Sequence, residues 1–291
     1  MKRTLILKSD KDEFEKFYID RMQTSDVITR PIYKYWRGIG WILQVVWIEK
    51  LHFPFEQIWY GRWWEELEGI ERIIVFDRNL GWKILENIKK RKSNIQIIVW
   101  YWNIVKKNIP KQYMKFCEVW SFDRNDCKKF DYKCNTQFYF PDFQLQEKEY
   151  VQDVIFVGRD KGRYGTLKEI EKDLIKYGVN INMKVIKDET SMIDYKELLN
   201  EISRSKAILD VPQEGQEGMT ARVMESIFLR KKLITTNTNI LYKEYFDKQN
   251  MYVWGMDKRD LKEFLNDSYR DNKKNVKMRK FYSFTEWIKR F

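Results

Sequence analysis

AILDVPQEGQEGMTARVMESIFLRKKLITT, residues 207–236, decides the fold class in one stretch. Ala207–Val211 is a short apolar, β-rich run and reads as a strand. Met219–Leu229 places Met219, Val223, Ile227 and Phe228 at helical spacing, and Leu233–Thr236 returns to a strand. Strand, helix and strand in this order form a unit whose strands run parallel. In parallel sheets covered by helices, ligands sit outside the carboxyl ends of the strands. The Gly- and Gln-rich loop 213–218 lies at such an end. A helix opening on Gly218-Met219-Thr220 offers unpaired N–H groups and the positive end of its dipole to a phosphate. Arg222 can neutralise a second phosphate as a bidentate donor. One turn on, Glu225 has acceptor geometry for a ribose diol, and Glu217 lies before it with seven residues between the two. The plainer reading of Arg222 and Glu225 is a surface i, i+3 ion pair worth a few tenths of a kcal/mol.

The same alternation extends outward. Val154–Val157, Asn182–Ile186, Ala207–Val211 and Leu233–Thr236 read as strands, separated by helices over Thr166–Tyr177, Asp194–Arg204 and Met219–Leu229. Upstream of a polar stretch, Pro141–Gln152, the short runs Thr4–Leu7, Arg72–Phe76, Ile95–Trp100 and Val119–Phe122 repeat the pattern, with a helix over Trp82–Lys90. The polar stretch marks the boundary between two doubly wound α/β units.

VIFVGRDKGR, residues 154–163, leaves a strand directly for a basic turn. Gly158 and Gly162 permit close backbone approach. Arg159, Lys161 and Arg163 concentrate charge there, as a diphosphate clamp or as an ordinary basic turn. Neither a Walker loop nor a GxGxxG fingerprint is present.

Three segments now carry a resemblance: ILDVPQEGQEGMTARVMESI with KKLITTN, VIFVGRDKGR, and IIVWYWN with EVWSFDRNDC. They resemble the nucleotide-sugar glycosyltransferases of the GT-B class, and more narrowly those of bacterial capsular polysaccharide and lipopolysaccharide (O-antigen) biosynthesis. The patches run from about residue 73 to residue 250. The resemblance implies two Rossmann-like domains facing across a cleft. Residues 1–145 would form an acceptor-binding domain and 146–277 a nucleotide-sugar-binding domain. The amphipathic segment Phe281–Phe291, within a C-terminal helix over 278–291, would pack back onto the first domain. It also implies a UDP-linked donor held by Gly158, Arg159, Lys161, Arg163, Gln216, Gly218, Met219, Thr220, Arg222 and Glu225. The acceptor would be a saccharide or a polyprenyl-linked saccharide. Seven-residue spacing of Glu217 and Glu225 leans towards retention of configuration, with Glu217 in a catalytic role.

Composition sets bounds. The chain has 291 residues, 43% hydrophobic and 16% aromatic, enough for real cores. Ten of its twelve tryptophans lie at or before Trp120. One histidine, His52, excludes histidine triads and multi-histidine metal sites. Cys117, Cys127 and Cys134 have an odd count and loose spacing, which argue against a disulfide framework and a zinc site and favour a reducing cytoplasm. No cofactor or metal is expected; Asp10-Lys11-Asp12 matches DxD but reads as a solvated loop. For the acceptor side, Asp77 ends the strand-like IIVFD and is placed to act as a base, or to cap a helix. Asp123, ending VWSFD, is placed alike. Trp102 and Asn103 offer a stacking face and an amide for an acceptor sugar.

The net charge of +12 speaks to partners. Arg30–Lys50 sets Ile32, Trp36, Ile39, Leu43 and Val46 at helical spacing, with Arg30, Lys34 and Arg37 biased to the other side. This fits a helix lying in the inner-leaflet interface of a membrane, or a buried helix of the first domain. No stretch reaches the roughly 18 apolar residues of a membrane span. A peripheral cytoplasmic protein follows. The alternative class is a basic, aromatic single-stranded nucleic-acid-binding protein, against which stands the absence of RNP, KH or zinc signatures.

Overall fold

Short apolar runs become the strands of two parallel sheets. The computed structural model describes residues 2–9, 13–34, 36, 38–51, 53–77, 81–146, 148–186, 194–213 and 218–291. They divide into two units, Met1–Asn135 and Thr136–Phe291. Asp10, Lys11, Asp12, Arg37, His52, Gln216 and Glu217 lie outside the described residues.

In the first unit, β1 (Thr4–Lys8), β2 (Val27–Pro31), β3 (Arg72–Phe76), β4 (Gln96–Tyr101), β5 (Glu118–Ser121) and β6 (Lys133–Cys134) form a six-stranded sheet in the order β2-β1-β3-β4-β5-β6. All pairings are parallel. β1 and β3 are buried along their whole length, as parallel strands covered on both faces must be. The helices are α1 (Glu13–Arg21), α2 (Ile39–Val45), α3 (Lys83–Arg91), α4 (Lys111–Met114) and α5 (Arg124–Phe130). α3 turns Ile84, Leu85 and Ile88 inward and ends on Lys89, Lys90 and Arg91, which suit the negative end of its dipole. β2 and β6 are edge strands whose few residues carry too little apolar pattern to be read from the sequence.

In the second unit, β7 (Gln152–Arg159), β8 (Ile181–Ile186), β9 (Ser205–Asp210), β10 (Lys232–Thr235) and β11 (Met251–Val253) form a five-stranded sheet in the order β11-β10-β9-β7-β8, again all parallel. The helices are α6 (Tyr164–Lys176), α7 (Tyr195–Ser203), α8 (Ala221–Leu229), α9 (Leu261–Asn266), α10 (Lys273–Phe281) and α11 (Phe284–Trp287). Counted within its own unit, each sheet begins with the doubly wound order 2-1-3-4-5. The winding therefore reverses beside the first strand, between β1 and β3 and between β7 and β9.

Several details differ from the sequence reading. The unit boundary falls between Asn135 and Thr136, upstream of Pro141–Gln152. Phe138 packs on Trp287 with ring centroids 4.3 Å apart, and Tyr139 bridges to Ser283, which ties 136–140 to the C-terminus. The expected C-terminal helix over 278–291 is interrupted. α10 ends at Phe281, and Ser283 caps α11 by accepting from Glu286 N. Arg30–Lys50 is not one helix: Arg30 belongs to β2, and helix begins only at Ile39 and runs through a π-helical turn to Lys50. Cys127 and Cys134 form a disulfide, with Cα atoms 5.9 Å apart. Spacing in the sequence gave no sign of it, because α5 folds back onto β6 and brings the two together. Among the described residues, no helix is long and apolar enough to cross a membrane.

Candidate functional site

The switch point of the second sheet collects charged groups from three elements. β7 runs through Gly158 and Arg159, so the turn that follows it is only Asp160–Arg163. Lys161 and Gly162 both take left-handed φ, 50° and 80°, which reverses the chain within this turn. Asp160 Oδ1 accepts from Arg163 N at 3.0 Å and closes it. Arg163 is thereby directed back over the strand end. Its guanidinium lies 5.4 Å from the Phe156 ring centroid, and Nη2 donates to the Arg159 carbonyl at 3.2 Å. Its Nε is buried and has no hydrogen-bond partner among the described residues. A Cβ at Gly158 would stand 3.4 Å from Arg163 Nη2 and 3.3 Å from Phe156 Cζ, so this glycine keeps room for the arginine.

The neighbouring strand β9 ends on Asp210, which is 2% exposed. Its two oxygens accept from Thr220 Oγ1 and Thr235 Oγ1, each at 2.8 Å. Thr220 is also the N-cap of α8, accepting from Val223 N at 3.2 Å. Helix α8 thus begins at Ala221, three residues later than Gly218, with Gly218 and Met219 in the loop before it. Asp210 fixes the entry to the helix and is itself held by the entry residue. Burial pushes its carboxyl above the ordinary range, against the pull of the two threonines, Arg163 and Arg222.

Met219 is buried. From Val223 to Leu229 every residue of α8 is buried too, including Glu225 at 1% exposure. Glu225 Oε1 accepts from Tyr195 Oη at 3.1 Å, and Tyr195 Oη lies 2.9 Å from Tyr139 Oη. Arg222 Nη1 stands 2.5 Å from Glu225 Oε2, a close ion-pair contact outside hydrogen-bond geometry. Burial raises the Glu225 carboxyl as well, ahead of the opposing effect of Arg222. The surface ion pair of the plainer sequence reading is excluded, because one partner is in the interior. Burial likewise pulls the Arg163 guanidinium down, with Asp210 acting the other way and Arg222 adding to the fall. Arg163, Asp210, Arg222 and Glu225 therefore share one electrostatic environment. Two fixed cations stand beside two carboxyls whose ionisation burial opposes, a balance that favours an anion.

The remaining sequence candidates are placed differently. Arg159, the last residue of β7, and Lys161, in the turn after it, are exposed. Beyond α8, Arg230 stays exposed while Lys231 and Lys232 turn inward. Lys231 Nζ donates to the Ser203 and Ser205 carbonyls at 2.9 and 2.8 Å, and buried Lys232 donates to the Phe264 carbonyl.

In the first unit, Asp77 follows β3 and its Oδ1 accepts from Trp102 N at 3.4 Å, so it ties the ends of β3 and β4. The Trp102 ring is half-buried, edge-on to Tyr18 at 4.9 Å and 4.7 Å from Lys8 Nζ. Lys8 and Glu15 form an ion pair at 3.5 Å. Asn103 is exposed. Asp123, 1% exposed, takes the capping role: Oδ1 accepts from Asn125 N at 2.9 Å and Asp126 N at 3.3 Å. Trp100 is fully buried in the core.

Asp210, Tyr195 and Tyr139 were missed in the sequence. An acid closing the apolar run AILD was the available signal for Asp210. The tyrosines carry none, since their partners are 30 and 56 positions away. Among the described residues, no group of three or more His, Cys, Asp or Glu is arranged to hold a metal ion. No protein-family model matches this chain, and no curated protein matches it.

Proposed function

We propose that the second unit binds the diphosphate of a nucleotide-sugar and that the protein is a glycosyltransferase of the GT-B class. The donor is a UDP-sugar and the acceptor a saccharide or polyprenyl-linked saccharide of a cell-surface polysaccharide. The observation that carries the reading is the pair Arg163 and Arg222, gathered with the N-terminus of α8 over buried Asp210 and Glu225 at the switch point between β7 and β9. That is where doubly wound sheets hold ligands.

In this reading the bond from the anomeric carbon to the β-phosphate oxygen breaks, and its electron pair stays on that oxygen. Arg163 and Arg222 stabilise the charge that develops there. The acceptor hydroxyl oxygen forms the new bond to the anomeric carbon. Its proton passes to a carboxylate such as Asp77 if configuration inverts, or to the departing phosphate if it is retained. Asn103 and Trp102 serve as acceptor contacts. Glu225 meets the ribose through a shift of the Arg222 side chain, the partly exposed cover over an otherwise enclosed carboxyl.

Thermal unfolding with UDP, GDP, CDP and ADP, and with an oligonucleotide as control, tests this. A ligand at about 100 times its Kd adds roughly 2.7 kcal/mol to stability. The expected result is a rise of several degrees with one diphosphate, absent in Arg163→Ala and Arg222→Ala. No shift with any nucleotide, together with a salt-sensitive shift on the oligonucleotide, overturns the proposal in favour of nucleic-acid binding.

A further inference from the structure

Helix α2 and its π-helical continuation are built inside out. The polar residue Gln44 is the buried one, its Nε2 donating to the Lys34 carbonyl at 3.2 Å, and Ile48 is buried one turn on. The outward side carries Ile39, 77% exposed, with Ile42 and Leu43 each about half-exposed. A helix facing water places these residue types the other way round.

The following loop continues the surface. Leu51 and Ile58 are about half-exposed, and Phe55 is 66% exposed. Phe55 also adopts φ 65°, a left-handed conformation that aromatic residues rarely take. Helix and loop are fastened together by ring contacts: the Trp47 ring lies 5.3 Å from Phe53 and 6.0 Å from Trp59, and Trp36 lies 6.0 Å from Trp59. Trp36 and Trp41 stand nearly half-exposed at the rim. Large contiguous apolar surface of this kind marks an interaction site.

Its charge identifies the partner. Among the described side chains from residue 34 to residue 62, the exposed charges are Lys34, Lys50 and Arg62, all positive. The one described carboxylate there, Glu56, is fully buried. Two copies meeting through this face would bring like charges together, whereas an anionic lipid bilayer offers hydrocarbon to the apolar side chains, an interface to the tryptophans and opposite charge to the cations. We infer that the exposed apolar face of α2 and of the described loop residues after it is a docking surface for an anionic membrane, entered by Ile39, Ile42, Leu43 and Phe55 with Lys34, Lys50 and Arg62 on the headgroups. The inference stands on this surface alone and does not rest on the nucleotide site.

Co-sedimentation of the full chain with vesicles tests it, using phosphatidylcholine containing phosphatidylglycerol and phosphatidylcholine alone. The wild type is expected to pellet with the anionic vesicles and much less with the neutral ones. Ile42→Glu and Phe55→Glu are each expected to lower the bound fraction about tenfold, because one large apolar group no longer inserts. Lys50→Glu is expected to lower binding to anionic vesicles about fivefold or more while changing the neutral ones little. All three positions are exposed, so melting temperature should hold; Ile39→Ser, a milder change at the most exposed position, covers a variant that fails to fold. Wild-type protein remaining in the supernatant with anionic vesicles overturns the inference. So does undiminished pelleting of Ile42→Glu and Phe55→Glu. A wild-type dimer that Phe55→Glu dissociates, with no vesicle binding, overturns it in favour of a second copy on this face.

Discussion

Replacing Glu225 by alanine and, separately, by glutamine separates what its shape and hydrogen bond contribute from what its charge contributes. Alanine removes the acceptor of Tyr195 Oη, a loss of about 1 kcal/mol softened by the remaining contact to Tyr139. It also empties space in a helix buried from Val223 to Leu229, at about 1–2 kcal/mol for a group of this size. Arg222 loses its partner, but its side chain is 19% exposed and can turn to water, so this loss is well below the roughly 3–5 kcal/mol of a fully buried pair. Against these stands relief from burying a carboxylate. The expected net cost is about 2–3 kcal/mol, a fall of roughly 5–10 °C in the melting of a unit of this size. Glutamine keeps the volume and an acceptor for Tyr195 and gives up only the charge, whose burial is unfavourable in itself, so it is expected to lie within about 1 kcal/mol of wild type. Urea unfolding followed by circular dichroism measures both. If glutamine costs as much as alanine, attraction to Arg222 outweighs the cost of burying the charge, and Glu225 is not a carboxyl raised by burial.

Two further outcomes follow from named contacts. Gly158→Ala crowds Arg163 Nη2 and the Phe156 ring, and is expected to weaken diphosphate binding about tenfold by calorimetry, with a stability change of less than about 1 kcal/mol; unchanged affinity would remove Arg163 from the site. Burial lowers the Lys232 ammonium to about 8, so between there and the unfolded value near 10.4 the unfolded chain binds more protons and stability attributable to this group rises with pH. Lys232→Met is therefore expected to be more stable than wild type at pH 7, on the order of 2 kcal/mol, with the difference shrinking from pH 8 to pH 10; a gap independent of pH in urea titrations would contradict it.

The class of fold was legible because its signals are local. AILD, KLIT, IIVF and IIVW are runs whose composition alone demands burial on both faces, and α6, α7 and α8 alternate with them at helical period. What was lost was short or reversed. β2, β6 and β11 are edge strands of two to five residues, too brief for a period to register. The apolar pattern over Arg30–Lys50 reads as one helix, but helix begins only at Ile39, and a pattern cannot tell which face looks inward; here Gln44 does. Spacing likewise predicted no disulfide, because the meeting of Cys127 and Cys134 depends on how α5 returns to β6.

By itself the sequence determined two parallel α/β units and the strand ends where charged residues gather, since periodicity and turn chemistry act over a few residues. It also singled out Arg163, Arg222 and Glu225. Tertiary structure alone decided that Glu225 is enclosed by Tyr195 and Arg222, that Asp210 anchors Thr220 and Thr235, and that Arg159 and Lys161 are exposed. The reason is physical: a charged side chain acquires its meaning from burial and from partners distant in the chain, and neither is encoded in its neighbours.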